Sequence, residues 1–183
     1  MQSLVEALRD PHARHAMLVH LPIVLGVTGV VPLAILAMGR FRCDRLRWTV
    51  VAWFALLSLS SLVAASSGSA AARNLERSIP PLSPGDQRAL AMHEHRGERA
   101  WIWPLIPALL VAWTARPAAR PVAGRAAAVA AVGVACWFGL IGHVGGRLVY
   151  ARGLGVPARE VVAVEAGPGR TEPDMAAGGE TDP

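Results

Sequence analysis

The chain contains no lysine; all 18 of its basic residues are arginine, which points to a biased base composition rather than to chemistry. It has two cysteines, Cys43 and Cys136. Neither belongs to a CxxC or CxxCH sequence, so covalently attached haem is excluded. One sits in a short loop and the other inside an apolar run, so no disulfide is expected between them. Charge is scarce: 17% of residues are charged, against about a quarter in soluble domains. The net charge of +5 comes without a basic stripe interleaved with aromatics, which argues against nucleic acid as a partner. There is no glycine-rich phosphate loop or dinucleotide-binding pattern. No serine, histidine and acid stand in a hydrolase arrangement. No inverted repeat suggests a self-contained transporter.

What is present is hydrophobic length. A bilayer core takes about 20 apolar residues in a helix. Residues 16–38 and 48–72 supply such runs, and so do residues 126–150, interrupted by His143 and Arg147. A third span, placed over residues 90–114, is weaker, because its clean apolar part is short. Ser83, Pro84 and Asp86 read as N-cap, N1 and N3 of a helix that begins early and runs from about residue 84 to 114. Pro104 and Pro107 should kink it. The expectation is an all-α integral membrane protein, an up-down bundle of four transmembrane helices over residues 1–156. Residues 157–183, rich in Gly, Pro, Ala and acid, read as a disordered external tail.

Arginine orients the bundle. The loops 39–47 and 115–125 carry +3 each, while the rest of the chain holds 11 Arg against 12 acids. The positive-inside rule then places the two short loops in the cytoplasm and both termini outside. Trp48 and Trp113 mark the inner interface; Trp101, Trp103 and Tyr150 mark the outer one. The first span is too long for a cleaved signal peptide, and its basic cluster follows it. The expected location is a bacterial inner membrane, crossed several times, with the lipid bilayer as the principal partner.

All six histidines then fall toward the outer side: His12, His15, His20, His93, His95 and His143. Histidine is a frequent metal and haem ligand. An ionisable group in hydrocarbon is costly and marks a functional site by default. His20 and His143 form the preferred pair for axial ligation of a b-type haem. His15 and His93 are second candidates, and Arg147 is placed to meet a propionate. The same four histidines could instead hold Zn or Cu directly. The bland alternative for each is a neutral imidazole bonded to a neighbouring hydroxyl or carbonyl. His93 and His95 point to opposite sides of one helix, and His93 shares the small-residue face of Gly97 and Ala100. Gly139, Gly142, Gly145 and Gly146 give the last helix a close-packing edge, with GxxxG at 142 and 146.

The segments HAMLVHLPI from His15 and GHVGGRLVYARGLGV from Gly142 resemble a bacterial family of uncharacterised four-helix membrane proteins. Its pattern opens HPxLVHFPIAL and closes GGxLVYxxGVGV, and the resemblance covers residues 12–156. Ser67-Gly68 is similar to the family's Thr-Gly on the second helix. His93 with Gly97 is similar to its His-x-x-x-Asn/Gly, which favours His93 over His95. Two departures stand out. Ala16 replaces a proline, and Ala71 and Ala72 stand where an acid often follows the helix-2 glycine. Relatives joined to c-type cytochrome domains imply exchange with external redox proteins. The functional expectation is a membrane subunit binding haem b and serving electron transfer, with a periplasmic c-type cytochrome or other membrane subunits as partners. The alternatives are a non-catalytic structural or assembly subunit and a metal-handling protein.

Overall fold

Prolines decide where the first rod bends. The computed structural model describes residues 8–77 and 81–155. Pro22 and Pro32 have no N–H to give the carbonyls of Leu18 and Thr28. The rod is therefore divided into α1 (Pro11–Leu18), α2 (His20–Thr28) and α3 (Val30–Met38). Val19 and Gly29 between them keep right-handed helical dihedrals, so the rod bends without ending. Asp10 caps α1 by accepting from the His12 N–H at 2.9 Å, and Pro11 follows at N1.

The second rod is one uninterrupted helix, α4 (Asp44–Glu76). Third come α5 (Pro84–Glu98), a 3₁₀ turn at Ala100–Ile102, and α6 (Leu105–Trp113). The fourth rod is α7 (Arg120–Tyr150). The cap expected at Ser83 is present: its Oγ accepts from the Asp86 N–H at 3.1 Å and donates to Asp86 Oδ2 at 2.7 Å. The kink expected in the third rod is a full break. Pro104 and Pro107 cannot donate to Ala100 and Trp103. The freed stretch turns as 3₁₀, and the Trp101 carbonyl takes its hydrogen bond from Ser58 Oγ on α4, at 2.6 Å.

Each rod packs against two others. α4 touches the first and third rods, and α7 touches the same two from the other side. The core between them holds Leu25, Leu33, Leu36, Val50, Phe54, Leu57, Val111, Ala131 and Phe138. Small residues let the rods close. A Cβ on Gly26 would lie 2.9 Å from Phe138 Cγ. The outside is apolar as well: Val24, Val31, Leu59, Leu109, Val122 and Val129 are all exposed. Three helical rods, Pro11–Met38, Asp44–Glu76 and Pro117–Tyr150, are long and apolar enough to cross a membrane. The chain is therefore all-helical among its described residues, with a lipid-suited exterior. The expected tail, 157–183, lies outside the described residues.

The end carrying residues 39–47 and 114–125 is tightly locked. Arg40 and Phe41 both take left-handed dihedrals, φ 52° and 58°, a conformation that costs a non-glycine residue about 1–2 kcal/mol. Two contacts hold the turn. The Phe41 ring lies on Gly124 of α7, where an added Cβ would come within 2.9 Å of Cδ2 and Cζ, and closer still to Cε2. Arg47, 2% exposed, donates to the Phe41 carbonyl at 2.6 Å and to Thr114 Oγ1 at 3.1 Å, and pairs with Asp44.

Candidate functional site

At the opposite end, α1, α4, α5 and α7 hold two imidazoles turned into the bundle. His15 on α1 is half-buried, and its Nδ1 lies 3.0 Å from Ser67 Oγ on α4. The Ser67 hydroxyl proton is already donated to the Ala64 carbonyl at 2.7 Å. With that proton directed to Ala64, Ser67 is placed to accept from His15, an arrangement that favours the neutral imidazole with its proton on Nδ1 and a lone pair on Nε2. Gly68, next along α4, makes room for the ring: an added Cβ would stand 2.9 Å from His15 Cε1.

His93 on α5 is half-buried too. Its ring fits against Gly145 of α7, where an added Cβ would lie 3.0 Å from Cε1 and 3.4 Å from Nε2. Its Nδ1 is buried with no hydrogen-bond partner among the described residues. His15 is near enough to act on His93 electrostatically, and His12 on His15. His95 is exposed, so His93 is the one turned to the bundle.

The preferred pair of the sequence reading is placed differently. His20 is exposed, and its Nδ1 bonds the Ala16 carbonyl of its own helix at 2.6 Å. His143 and Arg147 are exposed on α7. The four candidate histidines are thus divided: His15 and His93 turn inward, while His20 and His143 lie on the surface. Among the described residues no three His, Cys, Asp or Glu side chains converge as a metal group. The physical cause is the phase of α7. Gly142 and Gly145 face the bundle, against Ile23 and His93, whereas Gly139 and Gly146 have nothing within 4 Å. The expected GxxxG edge therefore straddles two faces, and His143, beside Gly142, is carried outward.

Other contacts at this end had no strong signal in the sequence. Asn74 Nδ2 donates to His12 Nε2 at 3.3 Å. Gly155, at φ +74°, folds over His12: an added Cβ would lie 3.1 Å from its Nδ1. Arg152 pairs with Asp86 at 2.6 Å. Arg47 was also missed as a buried residue, although 47, 50, 54, 57 and 61 share one helical face with the core. Comparisons with family models, with curated proteins and with solved structures returned no match.

Proposed function

We propose that the chain is a membrane-embedded subunit that holds b-type haem through His15 and His93 and serves electron transfer. The single observation behind this reading is the His15 Nδ1–Ser67 Oγ bond, which favours the tautomer with its proton on Nδ1. An imidazole whose Nδ1 proton is anchored and whose Nε2 is bare is the form that ligates iron, and such second-shell anchoring is common among metal-bound histidines. His93 supplies the second imidazole from a different helix, within electrostatic range. The donor chemistry fits a bis-imidazole iron. His20 and His143, exposed on the surface, fit less well as an internal pair. Haem held there would supply one-electron transfer. The chain's own residues fix ring orientation through Ser67, and Gly68 and Gly145 admit the rings. The arginine-rich loops favour an inner-membrane orientation with the histidine end outside, facing a periplasmic carrier such as a c-type cytochrome.

A second reading is favoured by the close fit of each ring to a glycine. In that reading His15 and His93 are register pins of a structural or assembly subunit. One experiment separates the two. The protein is purified in detergent after haem-sufficient expression, and its visible spectrum is recorded. A Soret band that disappears in His15→Ala and His93→Ala, and survives in His20→Ala and His143→Ala, is the expected result. A colourless wild-type protein overturns the haem reading and leaves the register pins.

A further inference from the structure

The α7 helix does not simply end at Tyr150. Gly153, at φ +67°, turns the chain back, with Gly153 N–H donating to the Val149 carbonyl and Leu154 N–H to the Leu148 carbonyl, both at 3.0 Å. The returning residues 151–155 touch two other rods. Arg152 Nη1 reaches Asp86 Oδ1 in the first turn of α5 at 2.6 Å. Gly155 seats against the His12 ring on α1, and Asn74 of α4 holds the same ring from its Nε2 side. His12 lies three residues before His15 on one helical face. The ring under Gly155 is thus the neighbour of His15 on that face, toward the helix start.

We propose that residues 151–155 form a strap that closes the mouth of the His15–His93 site, latched by the Arg152–Asp86 pair. Gly155 suits the role: its left-handed backbone favours glycine, and a side chain would press on His12. The latch joins two surface side chains, the kind of pair that contributes modestly and opens readily. The strap rests on the donor-site reading only for its purpose, because closure is a property of the imidazole itself.

The test is acylation of histidine by diethyl pyrocarbonate on the full chain in nanodiscs, read residue by residue by mass spectrometry. Exposed His95 serves as the internal standard, and bound haem is scored separately from the Soret band. Arg152 lies beyond the last helix, so Arg152→Gln leaves the bundle intact. The expected result is a several-fold rise in the ratio of His15 to His95 labelling in Arg152→Gln, with Asp86→Asn adding little on top, since both break one latch. A ratio unchanged in Arg152→Gln overturns the strap, and so does a second substitution that adds as much as the first. Because the protein without haem can be labelled equally well, failure of the haem reading is distinguishable from failure of the strap.

Discussion

Gly124→Ala should destabilise the bundle, although the same change at Gly139 should not. Both glycines lie inside α7, where alanine gains about 0.5–1 kcal/mol over glycine from backbone entropy. At Gly139 nothing lies within 4 Å of the new Cβ, so that gain stands. At Gly124 the Cβ meets the Phe41 ring at 2.9 Å from two atoms and closer to a third. Phe41 cannot easily move aside. It is buried, its backbone is left-handed, and its carbonyl is bound by the buried Arg47. Overpacking against a held ring costs about 1–3 kcal/mol. The net loss at Gly124 is then up to about 2.5 kcal/mol after the propensity gain. The assay is equilibrium unfolding in mixed micelles, followed by circular dichroism. Phe41→Ala supplies the control, since it removes the obstacle. In that background Gly124→Ala should become neutral or stabilising, a coupling that a double-mutant cycle measures. If Gly124→Ala stabilises the wild type as much as Gly139→Ala does, the ring-in-notch account is wrong.

Ser58→Ala should cost about 1–3 kcal/mol, because the Trp101 carbonyl in the broken stretch of the third rod would lose its donor. An unfolding midpoint equal to that of the wild type would show that water or another group supplies the bond. Asp86 gives a pH signature. Its carboxyl is held below the ordinary value, first by the Ser83 hydroxyl and second by Arg152. A depressed folded value means that its stabilisation is present above the ordinary carboxylate pKa and is lost as pH falls through the lowered one. Thermal scans from neutral to acid pH should therefore show a steeper decline in the wild type than in Asp86→Asn. Parallel declines would refute the linkage.

The sequence was most informative where chemistry is local. Ser83, Pro84 and Asp86 announced a helix start, and the structure has that cap bond for bond. Apolar length located three rods: the expected 16–38, 48–72 and 126–150 each fall inside a helical rod long and apolar enough to cross a membrane. Helix phase was not legible. In a soluble helix the apolar stripe marks the inside. Here exposed Val129 and Val132 and buried Ala131 and Val134 are alike to a hydropathy pattern. The inward face of α7 is chosen by close approaches, Gly124 to Phe41 and Gly145 to His93, which depend on a partner helix. That is why the sequence groups His143 with the inward histidines, whereas the structure leaves it exposed. His93, preferred to His95 on its small-residue neighbours and on the resemblance, is the half-buried one of the two.

The two ends of the bundle are held by different physics, and this bears on where a ligand could act. At the arginine end a buried guanidinium satisfies three partners and a ring fills a glycine notch, so that end opens only at the expense of buried groups. The histidine end is joined by a serine hydroxyl, an asparagine amide and one surface ion pair. Among the described residues it also leaves the Nδ1 of His93 without a partner, a cost of about 1–3 kcal/mol for a buried polar group. Function is drawn to the low-stability regions of a fold, because binding and release require local opening. A buried imidazole nitrogen with no partner among the described residues is a place where a ligand would recover energy that packing has not. The end built around Arg47 is thus held by buried groups, and the histidine end by half-buried and exposed ones.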